Sequence, residues 1–103
     1  MIVRVLTARV PSHHSGRFNE LLRQQLPLLR DQKGLVYTKL SRRMEGSTEE
    51  VMLFEEWRDM ASLYGWAGRV LTKPRLLSGG EELVDELRVT HYEALDIDPS
   101  ADD

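Results

Sequence analysis

The sequence contains no cysteine, which excludes disulfides, thiolate metal sites, iron–sulfur clusters and cysteine nucleophiles. It has no uninterrupted apolar run near the ~20 residues that span a bilayer, so no membrane partner is expected. The first ten residues alternate and carry Arg4 and Arg9, unlike the apolar block of an export signal. There is no basic excess: 14 Lys and Arg stand against 17 Asp and Glu, which argues against a nucleic-acid partner. Neither an internal repeat nor a low-complexity segment is present. These absences make the cytoplasm the expected compartment. What is there, 103 residues of which 41% are hydrophobic and 30% charged, suits one globular domain with a limited core. A second copy of the chain would be a natural supplement to that core.

Periodicity divides the chain into six main elements. Residues 2–10 alternate with Ile2, Leu6, Ala8 and Val10 on one parity, Arg4 among them, and Val3, Val5, Thr7 and Arg9 on the other. Both faces are mainly apolar, as in an interior strand covered on two sides. Ser12 to Ser15 reads as a turn whose serines cap a helix over 16–31. Phe18, Leu21, Leu22, Leu26 and Leu29 form its apolar stripe, and Pro27 should kink or shorten it. A strand over 35–43 and another over 50–57 flank the turn Glu45-Gly46-Ser47-Thr48, which predicts a hairpin. Asp59 caps a second helix whose stripe is Met60, Leu63, Tyr64, Ala67, Val70 and Leu71. A helical turn over 81–87 precedes a last strand over 88–95. The order β-α-β-β-α-β is that of a ferredoxin-like α+β fold: a four-stranded antiparallel sheet with helices on one face. Residues 1–95 form the domain, and 96–103, acidic and without aromatics, are expected to be a flexible tail. The helices cover only one sheet face, so the open face calls for a homodimer partner.

The stretch 51–71, VMLFEEWRDMASLYGWAGRVL, is a strand ending in Glu-x-Trp, an Asp cap and an amphipathic helix. It resembles the antibiotic biosynthesis monooxygenase (ABM) domain family, and with the element order the resemblance extends over roughly residues 2–95. The resemblance implies a dimeric α+β barrel made by two sheets packed face to face. The family includes cofactor-independent oxygenases of anthrone-type rings, haem-degrading monooxygenases and other small proteins, so fold alone does not select the chemistry.

The resemblance also marks residues. Trp66 falls where the quinone-forming and haem-degrading branches carry a Trp. Its ring can stack on a flat aromatic ligand and its N–H can donate. It lies beside the stripe of Leu63, Ala67 and Val70, which suits a pocket; the alternative is a packing Trp. Ser62 stands where the quinone-forming branch has an Asn, and Thr7 is nearest to the first-strand Asn of the haem-degrading branch. Residues 71–77 hold no His, with Arg75 or Leu76 where an iron ligand would stand, so the axial donor of a haem is missing.

From the residues alone, Thr7, Ser62 and Tyr64 are candidate donors to a phenolic substrate. Arg75, with Arg69 and Lys73, is a candidate anion-binding group or a solvated helix end. His91 shares its parity with Glu93 and is a candidate base; the alternative is a His satisfied by its neighbours. His13 and His14 lack a third ligand and read as solvated loop, so no metal site is expected. Leu53, Phe54 and Trp57 read as core. Glu55 and Glu56 point to opposite faces and are no acid/base pair.

The function expected on these grounds is oxygenation of a small aromatic ligand by O₂ with no metal or organic cofactor. Trp66 and His91 are the candidate catalytic residues; Thr7, Ser62, Tyr64 and Arg75 are the candidate substrate-binding residues. A non-catalytic dimeric ligand-binding barrel is the alternative, and a haem-binding or haem-degrading protein a second one.

Overall fold

The computed structural model describes residues 1–95 of the chain; the expected tail over 96–103 lies outside them. The elements run β1 (Ile2–Pro11), α1 (Ser12–Arg30), β2 (Leu35–Glu45), β3 (Thr48–Trp57), α2 (Met60–Ala67), a 3₁₀ turn (Glu81–Leu83) and β4 (Glu86–Glu93). The strands form one antiparallel sheet in the order β2-β3-β1-β4. This is the ferredoxin-like α+β arrangement that the element order predicts.

Strand parity sorts the residues between faces. Leu6, Ala8 and Val10 of β1, with Val51, Leu53 and Trp57 of β3, are buried against Phe18, Leu22 and Leu29 of α1 and Leu63 and Trp66 of α2. Burying one Leu, Phe or Trp side chain contributes about 1.5–3 kcal/mol, so this layer carries most of the fold's hydrophobic stabilisation. The opposite face carries Val3, Val5, Met52, Phe54, Tyr37 and Tyr92. Phe54 therefore lies on the open face, where Tyr37 packs edge-on at 5.9 Å between centroids, rather than in the core expected for it. One end of that face carries a row of alternating charges. Arg43, Glu50, Arg9 and Glu86 are cross-strand neighbours over all four strands, with N–O distances of 3.0, 3.3 and 3.9 Å along the row.

The strand boundaries shift by one or two residues from the periodicity, and four helix features differ more. Helix α1 starts at Ser12 with Pro11 as its N-cap and no side-chain cap; the Ser12 amide instead donates to the Ser47 carbonyl at 2.8 Å. The β2–β3 hairpin thus supplies the partner that a serine was expected to give. Pro27 does not end α1, which continues to Arg30, because a proline near the C-terminal end forfeits only one bond before the helix stops anyway. Helix α2 ends at Ala67 instead of Leu71: Gly68 takes φ +80°, and its amide donates to the Tyr64 carbonyl, a glycine termination. The helical turn expected over 81–87 is only three residues long, and β4 begins at Glu86.

The remaining signals hold. Asp59 Oδ1 accepts from the Ser62 amide at 2.8 Å, and this bonding holds its carboxyl below the usual range. Gly34, at φ +89°, makes the turn into β2. Gly46, at φ +61°, opens a two-residue hairpin loop between Glu45 and Thr48, as tight hairpins require.

Candidate functional site

One cross-strand row on the helix-covered face is polar. Thr38, Glu55, Arg4 and His91 are register partners across β2, β3, β1 and β4. Arg4 is 1% exposed and Glu55 2%. Both sit in positions that the core parity would give to apolar residues, so their polar groups need internal partners.

Arg4 finds them in an unusual place. Nη1 donates to the Leu71 carbonyl at 2.7 Å and lies 2.9 Å from His91 Nε2, while Nη2 donates to the Lys73 carbonyl at 2.9 Å. Because a guanidinium cannot accept, His91 Nε2 is the acceptor and its proton resides on Nδ1. Burial and the Arg4 charge both hold the His91 imidazole below its ordinary range, favouring this neutral form. The Arg4 Nε to Glu55 Oε1 distance is 3.9 Å, an ion pair too long for a hydrogen bond. Glu55 Oε1 instead accepts from Trp57 Nε1 at 3.0 Å. Burial raises the Glu55 carboxyl, with the Trp57 bond and Arg4 opposing. Burial likewise lowers Arg4, with Glu55 opposing.

Residues 68–80 run from α2 to the 3₁₀ turn without forming helix or strand. Two buried side chains fasten them: Arg4, as above, and Gln25 of α1, whose Nε2 donates to the Arg75 carbonyl at 2.7 Å. So held, Arg75 places its guanidinium carbon 4.5 Å from the centroid of the Trp66 ring, a cation–π contact. Trp66 is 2% exposed, and its indole Nε1 is buried with no acceptor among the described residues. Leaving such a donor unpaired costs about 1–3 kcal/mol.

The sequence-derived candidates therefore divide. Trp66 and Arg75 meet. Trp66 belongs to the buried side of α2 with Leu63, whereas Met60, Tyr64 and Val70 of the expected stripe are exposed; three-residue spacing, not the longer stripe, defines the inner face. His91 joins the row through Arg4 rather than through Glu93. Ser62 is half-buried and packs against the Gly34 backbone. Tyr64 is exposed. Thr7 lies on the other sheet face, in a cavity of about 130 Å³ shared with Arg9, Glu50, Glu86 and Arg88. His14 is not simply solvated; its Nδ1 lies 3.3 Å from the Leu83 carbonyl. Arg4, Glu55 and Gln25 were not among the candidates, although Arg4's place within an otherwise apolar parity is the signal that marks it.

No group of three or more His, Asp or Glu side chains among the described residues is placed to hold a metal. A His-ligated haem does not fit the donors here either. Residues 71–77 carry no His, and the Nε2 lone pair of His91 is engaged by Arg4. No helix among the described residues is long and apolar enough to cross a membrane.

The antibiotic biosynthesis monooxygenase family model matches residues 1–71, and no curated protein matches the chain. Among solved structures, a Deinococcus radiodurans protein ascribed to the antibiotic biosynthesis monooxygenases is similar at TM-score 0.73 and 18% identity, over 94% of this chain and 95% of that one. Rv0793 of Mycobacterium tuberculosis gives TM-score 0.73 and 24% identity, over 94% and 98%. The haem degrader MhuD of the same organism, solved with two haems in its active site, gives TM-score 0.64 and 14% identity, over 95% and 100%. At these identities the likeness is one of fold. With the strand order, the helix-covered core and the family match from the first residue into the segment that Arg4 fastens, the chain belongs to the antibiotic biosynthesis monooxygenase family.

Proposed function

We propose that the chain is an ABM-type monooxygenase that oxygenates a small aromatic substrate with O₂, working as a homodimer joined through the open sheet face. The observation that carries this reading is the Trp66 indole: a flat, buried ring whose N–H has no acceptor among the described residues and on whose face the Arg75 guanidinium lies. A phenolic or quinoid ring in place of that guanidinium would gain a stacking surface and a donor. Membership of the family supplies the reaction class.

In this reading the chemistry belongs to the substrate. A ring CH₂ between two aryl rings, conjugated through them to a carbonyl, loses a proton to water, and the resulting carbanion passes an electron to O₂. Recombination of the ring radical with superoxide forms a C–O bond, and the peroxide anion takes a proton back from water to give the hydroperoxide. Loss of water from the hydroperoxide leaves a quinone, so one oxygen atom ends in product and the other in water. The protein's part is to stack the ring on Trp66, to favour the ionised form through neighbouring cations and donors, and to exclude water. His91, with Nε2 engaged and its proton affinity lowered, serves here as an Nδ1–H donor rather than as the base.

The test is an aerobic assay of a hydroxyanthrone panel, followed by quinone absorbance, with an anaerobic control and Trp66→Ala alongside. The expected result is quinone formation above the buffer rate, dependent on O₂ and reduced at least tenfold in Trp66→Ala. Saturable quenching of Trp fluorescence with no product above background would overturn the oxygenase reading in favour of a binding protein.

A further inference from the structure

The segment 68–80 is held by its backbone oxygens. Arg4 takes the Leu71 and Lys73 carbonyls, and Gln25 takes that of Arg75. The two fastening side chains are 1% and 3% exposed, yet the segment they hold has no secondary structure of its own. Its attachment to the sheet therefore depends heavily on these bonds, helped by the partly buried Leu71 and Leu76.

The acceptors given to Arg4 are weak ones for a buried cation. Its two terminal nitrogens face two neutral carbonyls and a neutral imidazole, while the neighbouring carboxylate of Glu55 stands 3.9 Å from Nε and is bonded to Trp57. A guanidinium prefers an ionised oxygen, which it binds with roughly twice the strength of a neutral acceptor and often through two parallel bonds. The two carbonyls are presented to Nη1 and Nη2, the same fork that a carboxylate or a hydroxy-ketone pair of oxygens would engage. Two residues further along the chain, the same segment places Arg75 on the Trp66 ring. The one segment that occupies the Arg4 fork therefore also covers the indole, and lifting it would free both together.

We propose that Arg4 is the oxyanion-binding residue of the Trp66 site, and that residues 68–80 are a strap whose Leu71 and Lys73 carbonyls occupy the substrate's oxygen positions until a ligand displaces them. The inference rests on the reading of Trp66 as the ring contact and narrows its substrate class to planar aromatics bearing an ionised oxygen beside a second oxygen. In the closed form the strap satisfies Arg4 and shields the indole. In the open form the ligand takes over both tasks, so the cost of lifting the strap is offset by stronger bonds to the same guanidinium.

The test uses the full chain with 1-hydroxy-2-naphthoate as the planar oxyanion and 1-hydroxy-2-naphthamide as its neutral counterpart. Affinity is read from Trp fluorescence, and strap displacement from the carbonyl ¹³C resonances of Leu71 and Lys73. The naphthoate is expected to bind at least about tenfold more tightly than the amide, as one charge-assisted bond in place of a neutral one implies. It should also shift both carbonyl resonances. Arg4→Met alone leaves Glu55 buried without its cation, so the working variant is Arg4→Met with Glu55→Gln, checked for folding by circular dichroism. Arg4→Lys keeps the charge but not the fork. The double variant should lose the preference for the naphthoate, and Arg4→Lys should keep only part of it. Naphthoate binding with unmoved carbonyl resonances, or with equal affinity in the double variant, overturns the inference and leaves the oxygenase reading standing. Absence of naphthoate binding overturns it as well. Arg4-dependent binding with strap displacement, but no quinone from any hydroxyanthrone, upholds the inference and removes the oxygenase reading.

Discussion

Arg4 shows how a single side chain links strand pairing to the site. It pairs with Glu55 on one neighbour and His91 on the other, and its bonds to the strap reach 67 and 69 residues along the chain. Removing one partner of a buried ion pair leaves an uncompensated charge and costs about 3–5 kcal/mol. Arg4→Met should therefore approach that cost in urea denaturation. Arg4→Met with Glu55→Gln should cost clearly less than the sum of its two single variants, because the neutral amide still accepts from Trp57. Additive costs would show that Arg4 and Glu55 do not act as a pair. His91 adds a pH dependence. Its pKa is depressed in the folded chain by burial and by Arg4, so the unfolded chain binds more protons as pH falls through the ordinary His range near ~6.5. Stability from this group is present above that range and lost below it, and protonated Nε2 can no longer accept from Arg4. Glu55, raised by burial, acts with the opposite sign at lower pH, starting above the ordinary carboxylate range. The expected outcome is a loss of thermal stability between pH 7.5 and 5.5 that is smaller in His91→Gln. An unchanged slope in that variant would assign the acid sensitivity elsewhere.

At the scale of elements, glycines and the segments after them decide where the chain turns. Gly34 combines φ +89° with a Cβ position filled by Ser62 of α2, whereas Gly46 has φ +61° and open space around it. Gly46→Ala should cost about 1–2 kcal/mol, the left-handed strain alone. Gly34→Ala should cost more, because the α2 backbone must also move away; equal melting temperatures for the two would contradict this account. The same elements show what could be read without coordinates. The strands were legible because period-2 alternation is forced by burial of one face, and the Asp59 cap and Gly46 turn because each has a local chemical cause. The α2 terminus was not: Val70 and Leu71 continue the apolar spacing, but Gly68 at φ +80° stops the helix first. Nor was the strap, whose order comes from Arg4 and Gln25, far away in sequence. Of the candidate site, Trp66 and Arg75 were named from the sequence and stand in contact, while Thr7 was assigned by position in the chain without regard to its parity, which turns it to the far face.

For the whole molecule, the open sheet face is the surface on which the homodimer reading turns. Tyr37, Met52 and Tyr92 are 47%, 41% and 56% exposed there, around the half-buried Val3, Val5 and Phe54, an apolar patch of the kind that marks an interface. On the homodimer reading, Phe54→Glu should yield a folded monomer in sedimentation velocity where the unaltered chain is a dimer. A dimer retained in that variant would place the interface elsewhere. Salt should act mainly through the row Arg43–Glu50–Arg9–Glu86, where Arg43 holds the Glu50 carboxyl below its usual range and the charges are open enough to be screened.

The two polar rows, Thr38–Glu55–Arg4–His91 on one face and Arg43–Glu50–Arg9–Glu86 on the other, are kept on opposite faces by the opposite parity of Arg4 and Arg9 on β1. Deleting one residue between Ile2 and Arg4 would carry every earlier side chain of the strand to the wrong face, while a deletion between Arg4 and Arg9 would bring both arginines onto the same side of the sheet. The sheet therefore behaves like a reading frame. Its letters can be exchanged one at a time, but its length cannot, and tolerated insertions and deletions should collect at the Gly46–Ser47 turn and within 76–80, past the carbonyls that Arg4 and Gln25 hold.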